Sequence, residues 1–360
     1  MYSEIENLAK LIVEHSVEVK KGERVIIDGD PTGTPLLHLC LHREILRKGG
    51  IPFHKSQLGD LDYVNLKYAK EYQLRTFAED DTRMVEDTDI IIGIEASANP
   101  RRVEAVNPKN IRRFQRAAKI CRDAVAKRSK AGKLRLFFVN YPTNGMAQEH
   151  GMPLLEYEDH FCKACFLDRD NPIKEWEKLS KEQERYIRFL EKKHTIHVEG
   201  EDTDLTFSTK AEEGKRWTSD NGKKYLPDGE IYADHIIRDS VNGSIAFTYP
   251  GIFRRKEIQG IELKFKDGKI VNAESSTEEK FLQNLLLANE GEVYLSAFGI
   301  GTNYRIDKFI GQMDFDEKMG GTIHLTLRGS PSWVLLKRMG ENERIYAADE
   351  AFYDNGVFLI

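Results

Sequence analysis

Residues 87–96, DTDIIIGIEA, contain a short continuous run of branched apolar side chains, which is typical of a strand buried on both faces of a parallel sheet. Comparable runs occur at residues 24–28 (RVIID), 51–55 (IPFHK) and 134–142 (LRLFFVNYP). The segments between these runs have helical periodicity. Strands that alternate with helices predict βαβ units on a parallel sheet.

Three helices complete the prediction for this part of the chain. Residues 3–20 carry apolar side chains at helical spacing, and residues 34–48 form a second helix with Thr34 as its N-cap and Pro35 at the first helical position. Residues 172–194 are strongly charged and predict a long helix that leads into a second domain.

The pattern changes from helices to strands after residue 194. Segments such as TIHVEG (195–200) and DLTFST (204–209) alternate apolar and polar residues, and the pair Asp267-Gly268 indicates a tight turn. Residues 278–290 predict one further helix. We therefore predict an α/β fold of two domains. Their ranges are 1–190, an N-terminal α/β domain with a parallel sheet and flanking helices, and 191–360, a C-terminal, mainly antiparallel α+β domain.

The composition indicates an ordinary water-soluble chain, with 40% hydrophobic residues, 31% charged residues and a formal net charge of −5. Glu4 and Glu6 stand where a signal peptide needs a basic start and an apolar core. No apolar run approaches the roughly 20 residues that span a bilayer, and four cysteines suggest no disulfide framework. The sequence predicts a cytoplasmic protein without a membrane partner.

Three local patterns favour structural interpretations. Residues 101–133 contain twelve Lys or Arg against two acids, but only Phe114 interleaves with them, so a solvated helix face is favoured over a nucleic-acid interface. A basic wall for an anionic substrate is the minority alternative. Cys162 and Cys165 lie within a predicted helix and are interpreted as ordinary buried cysteines. Residues 28–33 are interpreted as a turn and a helix cap, because they lack the nucleotide-binding fingerprints.

The strongest candidate for chemistry is Glu230, in the stretch LPDGEIY at residues 226–232. The turn before it places a carboxylate at the start of an apolar strand, where burial requires a metal or a cationic partner. His235 follows five residues later, and His324 lies in the apolar strand TIHLTL. A hydrogen-bonded core histidine is the commoner explanation for such a residue. One carboxylate and two imidazoles nevertheless form a minimal ligand set for zinc, manganese or ferrous iron.

Several short motifs carry more specific information than periodicity. They are PTNGMAQEHGM (142–152), EYEDHF (156–161), TDLTF (203–207), RW (216–217), LPDGEIY (226–232), DSVNGSIAF (239–247), FGIGTN (298–303), DEK (316–318) and GTIHL (321–325). In this order and spacing they resemble the thermophilic metallo-aminopeptidase family that includes aminopeptidases T and S. The resemblance implies a two-domain homodimeric enzyme that removes N-terminal residues from peptides with two zinc or cobalt ions. It implies that Glu230 and His324 are metal ligands.

Other ligand positions of the family are substituted. The resemblance places a bridging glutamate at Ala297, and the histidine and aspartate of a His-x-Asp motif at Ser332 and Val334. Glu292, the nearest acid, is five residues from Ala297 and would face the other side of a strand. Two cations held close together need bridging carboxylates. The sequence therefore predicts a degraded two-metal site.

Three functions remain open from the sequence. The first is an aminopeptidase-like metallohydrolase with a divalent metal, zinc or cobalt. The second is a remodelled single-metal enzyme for a small molecule, with iron on a face formed by Glu230, His235 and His324. The third is a non-catalytic protein that binds a small molecule, a peptide or a partner in the cleft where the family has its active site.

Overall fold

The computed structural model describes residues 2–56, 58–211, 214–253, 256–287, 293–329 and 333–360. The contacts among them define two units. The first comprises Met1–Ile173 and Gly222–Pro227, and the second comprises Lys174–Asn221 and Asp228–Ile360. The units thus divide near residue 173, whereas the predicted domains divide at residue 190. The long charged helix explains the difference, because its residues Tyr186 and Leu190 lie in the core of the second unit.

The helices of the described residues are numbered in chain order. They are α1 Tyr2–Leu11, α2 Pro35–Arg47, α3 Leu61–Tyr68, α4 Glu71–Glu86, α5 Pro108–Ala117, α6 Lys119–Lys130, α7 Asn144–Glu149, α8 Leu154–Ala164, α9 Pro172–Leu190, α10 Glu279–Leu286 and α11 Met313–Asp316. A π-helical turn spans Ile12–Ser16, and a 3-10 turn spans Arg238–Ser240.

The strands are numbered in the same way. They are β1 Arg24–Gly29, β2 Ile51–Ser56, β3 Ile90–Glu95, β4 Arg135–Asn140, β5 Thr195–Gly200, β6 Thr203–Ser208, β7 Tyr225–Leu226, β8 Glu230–Ala233, β9 Asn242–Ala246, β10 Gly251–Phe253, β11 Lys256–Ile258, β12 Glu262–Lys266, β13 Lys269–Glu274, β14 Tyr294–Gly301, β15 Thr322–Arg328, β16 Trp333–Arg338, β17 Arg344–Ala347, β18 Glu350–Asp354 and β19 Val357–Phe358.

The first unit is built on a five-stranded sheet in the order β2-β1-β3-β4-β7. All four pairings are parallel, so the predicted N-terminal parallel sheet is confirmed. The central strand β3 buries Ile90, Ile92 and Ile94, as its apolar run predicted. The short strand β7 comes from the segment that returns from the second unit, and it pairs with β4 through Tyr225 and Leu226.

Three helix predictions need correction. Helix α1 ends at Leu11 and passes into the π-helical turn, after which Glu18 takes a left-handed backbone conformation that ends the helical path. Thr34 does stand at the N-cap of α2, with Pro35 in the first position, but its hydroxyl donates to the carbonyl of Asp30 and does not cap the helix. Helix α10 is shorter than predicted, and residues 288–290 lie outside the described part of the chain.

The second unit contains two large antiparallel sheets and the β10-β11 hairpin. The larger sheet has the order β13-β12-β9-β6-β5-β17-β18-β19, and the smaller has the order β16-β15-β14-β8. Their apolar faces share one core, in which the rings of Phe207 on β6 and Phe298 on β14 lie 4.9 Å apart. The predicted mainly antiparallel C-terminal fold is confirmed.

Both the cysteine pair and the basic stretch lie in the first unit. Burial raises the pKa of the Cys162 thiol in α8 to about 11, so the sulfur stays protonated, and Cys165 is fully buried. In the basic stretch, Arg113 and Arg128 donate hydrogen bonds to the backbone carbonyls of Ala69 and Thr88. Among the described residues, no helix is both long and apolar enough to cross a bilayer.

Candidate metal centre

The smaller sheet of the second unit brings Glu230 and His324 to one face. Strand β8 pairs with β14 so that Glu230 lies opposite Gly301, and β14 pairs with β15 so that Gly299 lies opposite His324. Side chains alternate along each strand. Ile231, Phe298 and Ile323 therefore point into the core, and their neighbours point to the opposite face.

Two glycines of β14 make the contact between Glu230 and His324 possible. A Cβ atom at residue 299 would lie 2.1 Å from Cε1 of His324, and one at residue 301 would lie 1.9 Å from the carbonyl oxygen of Met319. Both distances are far below van der Waals contact. Residues 299 and 301 of β14 have no side chains. The imidazole of His324 and the segment that ends at Met319 can therefore pack over this strand, next to Glu230.

Glu230 is the centre of a buried group of charged and ligand-type side chains. Its Oε2 atom lies 3.0 Å from Nε2 of His324, and its Oε1 atom accepts a hydrogen bond from the ammonium of Lys318. The same ammonium donates to Oε1 of Glu317 at 2.6 Å. One ligand atom each from Glu230, Glu317 and His324 lies within 4.8 Å of the others.

The electrostatics of this cluster are set by burial and by Lys318. Burial alone would raise the pKa of Glu230, but the positive charge of Lys318 and the hydrogen bonds from its partners outweigh it and lower that pKa. Burial raises the pKa of Glu317. Burial opposes the charge on Lys318, but Glu230 and Glu317 hold its pKa above the ordinary value. One ammonium therefore pairs with two carboxylates, Glu230, which is buried, and Glu317, which is half-buried.

Polar side chains fix the backbone at the start of β8. Gln183 of α9 donates to the carbonyl oxygen of Glu230 at 3.2 Å and to the hydroxyl of Thr302 at 2.8 Å. Asn303 donates to the carbonyl oxygen of Asp228 at 2.8 Å. These contacts hold Glu230 against the end of β14. The sequence analysis missed both side chains, because an Asn or a Gln in a helix or loop has no distinguishing pattern.

Tyr232 was also missed by the sequence analysis. It stands two residues after Glu230 on β8, so the two side chains share a face. Its hydroxyl lies 3.3 Å from Oδ1 of Asp220. Burial raises the pKa of this phenol, and the negative charges of Asp220 and Glu230 add to the effect, so the hydroxyl keeps its proton.

Two of the positions where family ligands are substituted, Ala297 and Val334, lie in one row of paired residues across the same sheet, next to the row of His324. Ala297 lies opposite Thr326, and Thr326 lies opposite Val334. This row lies two residues along β15 from His324, on the same face. Within the described part of the chain, it offers a methyl group, a hydroxyl and an isopropyl group, and no carboxylate or imidazole. Ser332 and Glu292 lie outside the described residues.

The structure brings together two of the three predicted metal ligands. Glu230 and His324 are in contact, but His235 is not part of the cluster. It follows the end of β8, and its Nε2 atom lies 3.3 Å from Oδ1 of the adjacent Asp234. Glu317 is the third member of the cluster, and its signal in the sequence was the DEK motif at residues 316–318.

The donor set fits one divalent cation. Carboxylate oxygen and imidazole nitrogen are both ligands of zinc and of related metals in catalytic sites. The Nδ1 atom of His324 is buried and has no hydrogen-bond partner among the described residues, so the protein alone does not satisfy this ring. Lys318 is the one feature that opposes a metal, because its ammonium already pairs with both carboxylates.

The cluster of Glu230, Glu317 and His324 makes the second unit a candidate metal-binding protein. Comparison with known proteins gives the family. The profile of the thermophilic metalloproteases (M29) matches residues 1–336, and the chain belongs to that family.

The relatives and structural neighbours are distant. Aminopeptidase AmpS of Bacillus subtilis (strain 168) is 23% identical over 308 residues, which cover 80% of this chain and 74% of that protein. The solved structure of wild-type AmpT from Thermus thermophilus has a TM-score of 0.74 at 19% identity, with 99% of each chain covered. A 2,5-dihydroxypyridine dioxygenase from Pseudomonas putida KT2440 has a TM-score of 0.54 at 12% identity, with 100% of this chain and 98% of that chain covered. These structural likenesses show the fold.

Proposed function

We propose that the protein is a metallohydrolase of the aminopeptidase type that uses one divalent cation, held by Glu230, Glu317 and His324. The observation that carries the proposal is the convergence of three ligand atoms within 4.8 Å at a buried position. Family membership supports peptides as the substrates. A bound cation of this kind polarises a carbonyl and lowers the pKa of a bound water.

One cation, and not two, follows from the neighbouring row of the sheet. A second dication needs ligands and a bridging carboxylate of its own, which screens the repulsion between the metals. Ala297, Thr326 and Val334 supply no charge in the row where the resemblance places the missing ligands. Zinc and cobalt are the metals implied by the resemblance, and iron is the alternative.

The ammonium of Lys318 affects how strongly the centre can bind a metal. A cation that binds between Glu230 and Glu317 must share these carboxylates with a buried ammonium or displace it. Two like charges in a low-dielectric site repel strongly. Lys318 therefore competes with the metal, and we expect metal affinity below that of a site without a lysine.

The residues around the centre suggest how protons are handled. The phenol of Tyr232 stays protonated and lies on the same face as Glu230, so it is the candidate hydrogen-bond donor to the substrate, with its proton retained. Tyr232→Phe removes only the hydroxyl. We expect this variant to keep its metal content and lose at least tenfold in kcat, a split that a structural role would not produce.

The test of the proposal is metal content measured together with peptidase activity. Full-length protein purified without chelator and supplemented with zinc, cobalt or ferrous iron is expected to hold about one metal per chain and to hydrolyse leucine p-nitroanilide or short peptides. Glu230→Gln is expected to lose both properties. Glu262→Gln, an exposed glutamate on β12, is the matched control and is expected to keep both. Absence of metal under all three supplements would overturn the proposal.

A second candidate function is a metal-free binding protein. The specific observation in its favour is the ammonium of Lys318, which already occupies the position between the two carboxylates. On this alternative, chelation leaves both the melting temperature and ligand binding unchanged. A melting temperature that rises with added zinc would exclude it, because a ligand of the native state stabilises that state.

The expected homodimer and the cytoplasmic location belong to the proposal as well. The motif resemblance supports the dimer, and light scattering of the purified chain measures it. A monomer at micromolar concentration would contradict the expectation.

A further inference from the structure

A half-buried carboxylate, that of Asp220, lies near the candidate metal centre and is not one of its proposed ligands. Its Oδ1 atom is 3.3 Å from the hydroxyl of Tyr232, and Tyr232 shares a face of β8 with Glu230. Residues two apart on a strand are separated by about 6–7 Å. The phenol of Tyr232 therefore links Asp220 to the strand and to the face that carry Glu230.

Hydrogen bonds fix the segment of this carboxylate against β8. The backbones of Thr218 and Tyr232 exchange two hydrogen bonds of 2.9 Å. The hydroxyl of Ser219 donates to Oε1 of Gln183 at 2.8 Å, and the amide of the same Gln183 donates to the carbonyl oxygen of Glu230 at 3.2 Å. One side chain therefore holds both the start of β8 and the residue before the carboxylate. Support of this kind keeps the groups of a binding site in place before a ligand arrives.

The substrate of an aminopeptidase brings a positive charge of its own to the centre. Its α-ammonium lies about 2.5 Å from the carbonyl carbon of the first residue, so it must bind close to the proposed cation. Glu230 and Glu317 already share the charge of Lys318 with that of the cation. Like charges repel strongly at short range in a site of low dielectric constant. A further carboxylate near the centre would offset this repulsion.

We propose that Asp220 binds the α-ammonium group of the substrate and so selects peptides with a free N-terminus. This inference rests on the proposed function, which gives the ligand its ammonium. A carboxylate has about four acceptor positions, and the hydroxyl of Tyr232 uses one of them. Its distance of 3.3 Å exceeds the ordinary O–H···O range of about 2.5–3.0 Å, so a charge-assisted bond from an ammonium replaces it readily. The phenol is then released to donate to the bound substrate.

The test compares two ligands that differ only in the ammonium. Leucinol carries it, 4-methylpentan-1-ol lacks it, and neither has a bond that a peptidase hydrolyses. Ligand-observed NMR on the full-length protein in chelator would give both dissociation constants without a contribution from metal coordination. We expect leucinol to bind at least tenfold more tightly. Asp220→Asn, which keeps the shape of the side chain, is expected to abolish this preference and to leave the affinity for 4-methylpentan-1-ol unchanged.

The matched control is Asp234→Asn, which removes an exposed carboxylate just after β8 and is expected to keep the preference for leucinol. A preference that survives in Asp220→Asn, or that is missing in the unmodified protein, would overturn the inference. The binding measurement requires neither metal nor turnover. A protein that prefers leucinol through Asp220 but holds no metal under any supplement would therefore contradict the proposed function and leave the ammonium site standing.

Kinetics with leucine p-nitroanilide on the zinc-loaded protein provide a second readout. Loss of a contact that the substrate and the transition state share raises KM and leaves kcat unchanged. We expect Asp220→Asn to raise KM at least tenfold, to change kcat by less than about threefold and to keep about one metal per chain. A fall in metal content with an unchanged KM would show that Asp220 only supports the fold, and would contradict the assignment.

Discussion

The ammonium of Lys318 pairs with the carboxylate of Glu230 at a position from which solvent is excluded. Both side chains are 8% exposed, and Glu230 turns its second oxygen to His324 at 3.0 Å. The family resemblance assigns a metal to Glu230, but the folded chain supplies a cation of its own at the same carboxylate. The first prediction below tests this competition between an ammonium and a metal.

Replacing Lys318 by methionine is expected to have opposite effects on stability and on metal binding. Removing one partner of a buried ion pair costs about 3–5 kcal/mol, because the remaining charges are left uncompensated. Zinc should restore much of this loss and should bind at least tenfold more tightly than to the unmodified protein. Thermal unfolding in chelator and in zinc measures both effects. Lys266→Met, at an exposed site on β12, is the control. Equal zinc affinity in the two variants would refute the competition.

A methyl group at residue 299 is expected to disable the centre. The added Cβ would lie 2.1 Å from the ring of His324, so the imidazole must leave Glu230. We expect Gly299→Ala to lower metal affinity and any peptidase activity by at least tenfold. The matched control is Gly33→Ala, where an added Cβ meets nothing within 4 Å. Normal metal content in Gly299→Ala would show that His324 is not a ligand.

Restoring carboxylates in the row of Ala297 and Val334 is expected to restore a second metal. The register places both residues beside Thr326, on the face that carries His324. Ala297→Glu combined with Val334→Asp is expected to raise bound zinc from about one to about two ions per chain. Elemental analysis measures the stoichiometry, and Ala297→Gln with Val334→Asn is the uncharged control. A count that stays at one would contradict the assignment of this row as the lost second site.

Cys162 is expected to be a slow nucleophile. Burial raises its pKa from the ordinary value of 9.0 to about 11, and the thiolate is the reactive form. At pH 8 this corresponds to about 100-fold less thiolate than an ordinary cysteine has, since each pKa unit is tenfold. Alkylation by iodoacetamide, followed by peptide mass spectrometry, measures the rate. Labelling as fast as that of a small free thiol would indicate an activated cysteine and contradict this prediction.

The apolar patterns made the sheets predictable. A run of branched residues in β3 and period-2 alternation after residue 194 are local properties, and the parallel and antiparallel sheets followed from them. Element ends were less predictable, because the π-helical turn after Leu11 depends on how the chain packs and not on the spacing of apolar residues. The assignment of helix α9 to the second unit also depends on packing, because Tyr186 and Leu190 lie in the core of that unit.

The sequence by itself determined the class of each sheet, the family resemblance, and Glu230 and His324 as candidate ligands. Only the tertiary structure decided that Glu317 and Lys318, and not His235, complete the cluster. The physical reason is register. Gly299 and Gly301 lie on β14 between the strands of Glu230 and His324, and their missing side chains let distant segments meet across that strand. A contact of this kind, made over an intervening strand, cannot be predicted from the spacing of residues along the chain.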